Sequence, residues 1–392
     1  MQNQVQTIMF DLLRSELCGT NLDEETKNLI TPEILLVLYK LSKAHDLAHL
    51  VAQALDTNGL LDDSKVANQF RATRNLAIYR YEQINYDLQA ICEALEDAQI
   101  EHIPLKGSVI RKYYPEPWMR TSCDIDLLVH EEQVKQIKRI FQDKLGCEYK
   151  SSWAYEHSFY TPAGVHIELH SSLRAERAKE DAILNDVWKY TQPLDGKKYT
   201  KNLADEMYYF YHCSHMAKHF ESGGCGIRPF MDIWILNHKL SFDKERRYEL
   251  LKAGDLLSFA VAMEKLAEVW FSGEEHTELS KNLEQFILFG GVYGTVENRV
   301  AVQQTQKGGK FKYILSRIFL PYNQLKIVYP AVEKRKWLMP FYQIRRWFYL
   351  FHKGKVKKSL REVSVNQKSD GQQTKKIQSI LRELGLNKKT DE

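Results

Sequence analysis

The chain has 392 residues, enough for two or three packed domains, and a near-neutral formal net charge of +4. With 44% hydrophobic and 27% charged residues, it has the composition of a soluble globular protein, which argues against disorder and against a membrane bundle. The sequence contains no unbroken run of 18 apolar residues and no export signal at its start, so we expect no transmembrane segment. Its six cysteines form no C-x-x-C pair, which favours a reducing, cytoplasmic environment without a disulfide framework.

The first part of the chain, residues 1–99, is predicted to be an N-terminal helical region. Apolar residues recur at helical spacing in the segments 32–55 and 75–100. Thr31 followed by Pro32 is typical of a helix start, with an N-cap residue and a first-turn proline.

The pattern changes over residues 100–174, where short β-like runs alternate with helices. Strands are predicted in "HIPLK", "DIDLLV", "CEYKSS", "HSFYT" and "VHIELHSSL", the last two joined across "PAG" as a hairpin. A long helix over "EEQVKQIKRIFQDKL" is expected to end at Gly146. The order βαβαβββ predicts an α+β fold, with a small mixed β-sheet that has helices packed on one face and helical segments on either side in the sequence.

Residues 175–360 are predicted to form a C-terminal helical region, followed by a polar, partly disordered tail at 361–392 with one short amphipathic helix. Between positions 307 and 358 the chain has fourteen Lys and Arg and one acidic residue. Within this stretch, residues 334–358 alternate cations with aromatic side chains. This segment suits an anionic membrane surface, a nucleic acid, or a helix whose aromatic residues pack on the domain.

Two aspartates occur inside the otherwise apolar "DIDLLV" strand. Side chains alternate along a strand, so Asp124 and Asp126 share one face while Ile125 and Leu127 share the other. Two neighbouring carboxylates are costly to desolvate unless a cation lies between them, and Mg²⁺ prefers oxygen ligands of this kind. The alternative is an edge strand whose aspartates face water.

A third acid, Glu168, lies on the later strand "VHIELHSSL", with His166 and His170 on the same face. If the two strands are neighbours, Glu168 completes a three-carboxylate cluster able to hold two metal ions. A His/Glu/His site for a transition metal is the rival interpretation. His157, on the preceding strand, is either a cleft residue or an exposed one.

Phosphate binding is predicted upstream, at "PLKGSVIRKYY". Gly107 and Ser108 follow a strand and open a helix, where free backbone N–H groups donate hydrogen bonds to a phosphate. Lys106 and Arg120 flank these elements as candidate phosphate neighbours, the first as a point charge and the second as a bidentate fork. The alternative for both is a surface cation.

The C-terminal helical region offers further polar candidates. His212, His215 and His219 lie along one face of a predicted helix, as a metal site or as the polar wall of a cleft. Arg228 and Asp232, four residues apart, are able to pair with each other or to face the nucleotide.

Together, "LKGS", Arg120, "DIDLLV" and "HIELH" resemble the nucleotidyltransferase superfamily that shares the catalytic fold of DNA polymerase beta. Within it they resemble an uncharacterised bacterial nucleotidyltransferase-like family, over residues 100–173 and on through "HMAKHFESGGCGIRPFMDIWIL". The sixteen-residue interval from Ser108 to Asp124 is longer than is usual in that superfamily. The resemblance implies that Gly107 and Ser108 hold a triphosphate, that both aspartates bind two metals, and that Glu168 binds the catalytic metal and helps to activate the acceptor hydroxyl.

We therefore expect a Mg²⁺- or Mn²⁺-dependent enzyme that transfers a nucleoside monophosphate from an NTP to a hydroxyl of a small molecule or protein and releases pyrophosphate. Its predicted location is the cytoplasm, including the membrane periphery. A non-catalytic nucleotide-binding regulatory protein and a nucleic-acid-modifying enzyme that uses the basic segment are the alternatives. The residues predicted to contact the nucleotide are Lys106, Gly107, Ser108, Arg120, His157, His215, Arg228 and Asp232.

Overall fold

The computed structural model describes residues 2–352 except 154, 176, 292–294 and 330, together with 362, 364–365 and 371–386. These residues divide into two compact units, one made of 1–216 with 227–280 and the other of 217–226 with 281–392. The first unit contains the sheet, the three predicted acidic residues and every residue predicted to contact the nucleotide, whereas His219 belongs to the second unit. Positions 353–358 of the predicted basic aromatic segment lie outside the described residues.

Five helices precede the sheet. They are α1 Gln2–Cys18, α2 Glu24–Asn28, α3 Pro32–Ala44, α4 Ala48–Thr57 and α5 Lys65–Asp97. The predicted helix start at Thr31 is confirmed, because the side chain of Thr31 accepts a hydrogen bond from the N–H of Ile34 and Pro32 occupies the first turn. Ser64 caps the long helix α5 in the same way.

The sheet has five strands, as the alternating pattern predicted. They are β1 His102–Pro104, β2 Asp124–Val129, β3 Glu148–Trp153, β4 Glu156–Tyr160 and β5 His166–His170. Their spatial order is β1-β2-β5-β4-β3, with β2 and β5 parallel and the other pairs antiparallel. This mixed sheet with its surrounding helices confirms the α+β fold class.

Short helical segments connect these strands. Between β1 and β2 lie α6 Gly107–Ile110 and two 3₁₀ turns, Arg111–Tyr113 and Pro117–Met119. Between β2 and β3, the single predicted helix is a 3₁₀ turn at Glu131–Gln133, then α7 Val134–Arg139, then a π-helical turn at Ile140–Lys144. Gly146 follows with a φ of +64°, as expected of the residue that ends this element.

One face of the sheet is the apolar core of the first unit. Ile125, Leu127 and Val129 of β2 pack there against buried residues of α5 and α7. The prediction of helices on one face only is wrong, because helices lie on both sides of the sheet. On the polar side, the Tyr208 hydroxyl of a later helix donates a hydrogen bond to the backbone carbonyl of Lys106.

The first unit continues with helices and one hairpin. These elements are α8 Ala178–Leu184, β6 Thr191–Pro193, β7 Lys201–Leu203, α9 Asp205–Glu221 as far as residue 216, α10 Arg228–Lys239, α11 Lys244–Ala253 and α12 Leu257–Ser272. The two-stranded β6–β7 sheet corrects the expectation of helix throughout this region. Its strands have three residues each, too few to show a period of two in the sequence. The Glu96 carboxylate accepts hydrogen bonds from the N–H groups of Lys198 and Thr200, which fastens the hairpin to the end of α5.

The second unit is helical over its described residues. Its elements are the end of α9 from residue 217, α13 Glu278–Leu288 from residue 281, α14 Val296–Lys307, α15 Lys310–Ile318, α16 Tyr322–Val328, α17 Ala331–Lys334, α18 Met339–His352 and α19 Gly371–Glu383. The helix α19 is the amphipathic helix expected in the tail, and it buries Ile377, Ile380 and Leu381. Among the described residues, no helix combines the length and the apolar character needed to cross a membrane.

Candidate active site

The predicted acidic residues lie on the two neighbouring parallel strands β2 and β5. Asp126 is directly opposite Glu168, and Asp124 is opposite His166. Because residues paired in register point to the same face, all three carboxylates lie on the polar face of the sheet. The alternate residues, among them Ile125, are buried on the core side.

Asp126 is the centre of a polar cluster on this face. Its side chain is 3% exposed and accepts hydrogen bonds from Lys106 Nζ at 2.6 Å and from His170 Nε2 at 2.8 Å. Glu168 Oε2 lies 3.8 Å from Lys106 Nζ and 3.6 Å from His170 Nε2. The ammonium group of Lys106 therefore stands between the two carboxylates, where it offsets their repulsion.

The carboxylates of this cluster differ in their affinity for protons. Burial raises the pKa of Glu168, and the neighbouring charge of Asp126 adds to this effect, to about 8. Burial would raise the pKa of Asp126 too, but the hydrogen bond from His170 and the charge of Lys106 hold it well below its ordinary value. Burial and the charge of Asp126 raise the pKa of Asp124. At neutral pH the Glu168 side chain consequently keeps a proton or a cation.

Lys106 is held in an unusual backbone conformation. Its φ is +47° and its ψ is −123°, outside the regions that residues with a Cβ ordinarily adopt. Its carbonyl accepts the hydrogen bond from Tyr208, while the charges of Lys106, Asp126 and Glu168 all act on the buried Tyr211. The helix α9, which carries both tyrosines, thus forms a wall of the cluster. Strain of this kind is typical of functional sites.

Gly107 and Ser108, the predicted phosphate binders, begin α6 directly after Lys106. A Cβ added at Gly107 would lie 2.9 Å from the Cβ of Ser122, so only glycine fits against this neighbour. The Ser108 hydroxyl oxygen is buried and has no hydrogen-bond partner among the described residues. A buried polar group without a partner is costly, and a bound ligand group would satisfy it.

Arg120 is held by Asp232 in a buried ion pair. The Nε and Nη2 atoms of Arg120 each lie 2.8 Å from a carboxylate oxygen of Asp232, which also accepts a hydrogen bond from the Tyr114 hydroxyl at 2.7 Å. Burial disfavours both charges, yet the pKa of Asp232 lies below and that of Arg120 above its ordinary value, because each charge neutralises the other. The structure thus gives Arg120 a protein partner, where the sequence suggested a phosphate.

Arg228 and Asp232 do not pair with each other, although their spacing on α10 would allow it. Arg228 Nη2 contacts the carboxylate of Asp46, and Arg228 Nη1 donates to the Thr121 carbonyl at 3.1 Å. Both α10 residues therefore hold the segment that leads from α6 into β2, Asp232 through Arg120 and Arg228 through Thr121.

The predicted histidines have different positions. His157 on β4 pairs with Leu169 on β5, so it lies on the opposite face of the sheet from Glu168. His215 lies one turn beyond Tyr211 on α9, with the two ring centroids 6.3 Å apart. His212 bonds to the backbone carbonyl of Pro229 through Nε2 at 3.2 Å, which makes it a packing contact between α9 and α10.

Comparison with known families gives one match. The sequence profile of the family described as "Uncharacterised nucleotidyltransferase" matches residues 36–272, more than half of the chain. The chain belongs to this family. The comparisons with curated proteins and with solved structures gave no match.

The residues that match the uncharacterised nucleotidyltransferase family include the whole polar cluster. Within the described residues, one ligand atom each from Asp126, Glu168 and His170 lie within 4.8 Å of one another, a spacing that would hold a cation. Two carboxylates and an imidazole fit a divalent ion, with Mn²⁺ accepting the nitrogen ligand more readily than Mg²⁺. Asp124 lies outside this group of three.

Some site residues were not assigned to the site from the sequence of this nucleotidyltransferase. The sequence supports His170 only as part of a rival transition-metal site, and its i, i+2 spacing from Glu168 is the available signal. Tyr208 and Tyr211 lie in the run "MYYFYH", which looks like buried helix and gave no sign of a polar neighbour. Their three-residue spacing places both tyrosines on one face of α9, and only the structure shows that this face lies against Lys106.

Proposed function

We propose that this member of the uncharacterised nucleotidyltransferase family transfers a nucleoside monophosphate from an NTP to a hydroxyl of a small molecule or a protein. The observation that supports this most is the register of β2 and β5, which sets Asp126 opposite Glu168 beside the Gly107–Ser108 turn. Residues 100–174 are the proposed catalytic core, residues 1–99 and 175–360 its helical flanks, and the cytoplasm its proposed location.

In the proposed reaction, Gly107 and Ser108 hold the triphosphate, and the unpartnered Ser108 hydroxyl donates to a phosphate oxygen. Magnesium or manganese on Asp124, Asp126 and Glu168 would neutralise charge at the α-phosphate. The acceptor oxygen forms a bond to the α-phosphorus while the bond from that phosphorus to the bridging oxygen breaks, and pyrophosphate leaves with the electron pair. With a cation bound, Glu168 would be ionised and would help to activate the acceptor hydroxyl, whose proton passes to water.

The test is to incubate the full-length protein with each α-labelled NTP, magnesium or manganese, and cell extract. Pyrophosphate release and label transfer are followed for the wild type and for Asp126→Asn and Glu168→Gln. Loss of a group that stabilises charge in the transition state lowers the rate by roughly 10²–10³-fold. Glu131→Gln is the matched control, since Glu131 is an exposed carboxylate in the 3₁₀ turn beyond β2.

Equal rates in the wild type and both site variants would disprove the catalytic proposal. NTP binding without label transfer would instead support the non-catalytic regulatory alternative. Label on RNA or DNA would favour the nucleic-acid-modifying alternative, whereas label on a small molecule or protein identifies the acceptor class.

For the basic aromatic segment we propose contact with an anionic membrane surface. In α18 and the neighbouring α15, exposed aliphatic side chains accompany exposed aromatic ones, and aliphatic groups suit lipid but do not stack on bases. The exposed aliphatic residues are Leu315, Ile318 and Ile344, and the exposed aromatic residues beside them are Phe311, Phe341 and Phe348. The two helices are in contact, since Trp347 Nε1 and Arg346 Nη1 both donate to the Ile318 carbonyl, at 2.8 and 3.1 Å.

Membrane contact is tested by sedimentation with phosphatidylserine vesicles across a salt series. Phe348→Ser should weaken binding, while Tyr248→Ser, which alters an exposed aromatic residue of α11, should not. Stronger binding to single-stranded RNA than to these vesicles would contradict the membrane proposal.

A further inference from the structure

A cavity of about 70 Å³ lies in the first unit, next to the polar cluster. Its wall is formed by Asp46 and His49 at the start of α4, by α5, by the 3₁₀ turn at Arg111 and by the segment from Arg120 to Cys123 that leads into β2. Side chains important for its chemistry are Arg80, Tyr81, Arg111, Arg120, Ser122 and Cys123. Such a volume accommodates several water molecules or one tetrahedral oxyanion.

Arg111 is a buried cation without an anionic partner. The residue is 5% exposed. Its Nε donates to the Gly107 carbonyl at 2.7 Å, its Nη2 donates to the Ser122 hydroxyl at 2.5 Å, and its guanidinium lies 5.6 Å from the ring centre of Tyr81. Among the described residues it forms no ion pair. Buried arginines are ordinarily paired, because an uncompensated charge is costly to desolvate.

The other charges that line the cavity do not pair with Arg111; outside the lining, the carboxylate of Asp124 favours the charge of Arg111 electrostatically without forming an ion pair with it. Arg120 is already balanced by Asp232, and Asp46, the one carboxylate among the described lining residues, is engaged by Arg228. Arg80 is exposed and likewise makes no ion pair within the described part of the chain. Burial, together with the charge of Arg120, lowers the pKa of Arg111 to about 10, so the guanidinium stays charged at neutral pH. The cavity therefore has an excess of positive charge.

The cavity is also adjacent to the proposed reaction centre. Ser122 and Cys123 immediately precede Asp124, and Arg111 binds the carbonyl of Gly107. On this side of the cavity the lining residues Arg111 and Arg120 to Cys123 belong to the long interval between Ser108 and Asp124. An anion bound to Arg111 would thus lie beside the turn that is proposed to hold the triphosphate.

We propose that this cavity binds a phosphate group, with Arg111 as its buried ligand and Arg80 at its entrance. Gly107 and Ser122 take up Nε and one N–H of Nη2, so the phosphate would bind to Nη1 and to the second N–H of Nη2, which are parallel donors. The phosphate belongs to the acceptor substrate or to the NTP. Phosphate binding itself does not require turnover, whereas its assignment to a substrate rests on the proposed function.

Cys123 provides a local readout, because it lines the cavity and is exposed. The full-length protein, without divalent cation, is alkylated with iodoacetamide in the presence or absence of inorganic phosphate at constant ionic strength. Modification of Cys123 is followed by mass spectrometry. At a phosphate concentration about ten times its dissociation constant, mass action slows alkylation by about tenfold.

The variants compared are Arg111→Gln, Arg80→Gln and, as a control, Arg74→Gln. Arg74 is also on α5 but is paired with Asp56 and does not line the cavity. Protection should be lost in Arg111→Gln, reduced in Arg80→Gln and retained in Arg74→Gln. No protection in the wild type, or equal protection in all proteins, overturns the proposal. If Arg111→Gln does not fold, unchanged protection in Arg80→Gln overturns it instead.

A second set of measurements identifies the source of the phosphate. ATP and glycerol phosphate are each tested as protectants of Cys123. Protection by ATP alone places a nucleotide phosphate in the cavity, and protection by glycerol phosphate places the acceptor phosphate there. Neither protection measurement needs metal or turnover. A lack of phosphate binding in the cavity can therefore be distinguished from a lack of nucleotidyl transfer in the transfer assay.

Discussion

Lys106 Nζ lies 2.6 Å from Asp126 Oδ1 and 3.8 Å from Glu168 Oε2. The ammonium group thus occupies the side of the carboxylates that a divalent cation would approach. Lysine and metal compete for the same negative charge, and binding of the metal would leave the ammonium group free to face a phosphate.

The first prediction is that Lys106→Met strengthens metal binding and weakens NTP binding. Removal of the competing cation should increase the affinity for Mn²⁺ by roughly tenfold, since a unit charge at this distance interacts by a few kcal/mol at the dielectric constant of a protein surface. The KM for the NTP should be higher in Lys106→Met than in the wild type. Mn²⁺ titration by electron paramagnetic resonance measures the first effect, and weaker Mn²⁺ binding than in the wild type would show that Lys106 supports the metal.

A second prediction concerns the buried pair of Arg120 and Asp232. Arg120→Met leaves the Asp232 carboxylate buried without its cation, so the free energy of unfolding should fall by about 3–5 kcal/mol. The double variant Arg120→Met with Asp232→Leu removes both charges and should recover part of this loss. Urea unfolding measures both values. The single variant Asp232→Leu completes the comparison. If the loss of unfolding free energy in the double variant equals the sum of the losses in the two single variants, the pair is not coupled.

The third prediction follows from the close approach of Gly107 to Ser122. Gly107→Ala places a Cβ 2.9 Å from the Cβ of Ser122, and overpacking of this kind costs about 1–3 kcal/mol. The variant should lose both stability and NTP affinity. Ser122→Gly in the same chain removes the clash but also the hydroxyl that accepts from Arg111, so it should restore part of the stability, measured by thermal unfolding against Ser122→Gly alone. A double variant less stable than Ser122→Gly by the full cost of Gly107→Ala would show that the clash is not the cause.

A fourth prediction is that acid destabilises the protein through His49. This buried ring donates from Nε2 to the Met119 carbonyl at 2.9 Å, and burial lowers the pKa of His49 from 6.5 to about 4. Between these two values the unfolded chain binds a proton that the folded chain excludes, so stability falls as the pH falls from 6.5 to 4. The loss from this group amounts to a few kcal/mol at most.

His49→Gln should flatten this part of the pH profile, because an amide keeps a donor for Met119 but does not titrate. Urea unfolding at several pH values provides the measurement. An equally steep fall in the variant would assign the acid sensitivity to other groups.

The sequence was sufficient for features that depend on neighbours along the chain. Alternation identified β2 and the face shared by Asp124 and Asp126, and the cap at Thr31 predicted the start of α3. These features need only a period or a local hydrogen bond. The hairpin of β6 and β7 escaped because its strands are too short to show a period.

Contacts between distant residues could not be read from one sequence. Arg120 and Asp232 are 112 positions apart, and either residue alone looks like an ordinary surface charge. The opposition of Asp126 and Glu168 depends on β2 and β5 being neighbours in a particular register, which no local pattern specifies. The alternation along each strand predicted which face of the sheet each acidic residue occupies. The register of β2 against β5 determines that Asp126 and Glu168 lie opposite each other.

The contacts made by α9 and α10 have a consequence for dividing the protein into parts. Tyr208 closes the turn at Lys106, and Asp232 neutralises Arg120, so residues beyond 200 complete the surroundings of a sheet that ends at 170. A fragment that stops at 174 would expose the charge of Arg120 and release the strained turn. The family match ends at residue 272, the last residue of α12, and so includes both helices. The smallest fragment that keeps the surroundings of Lys106 and Arg120 complete, and so could serve as an independent domain, is therefore much longer than the sheet itself.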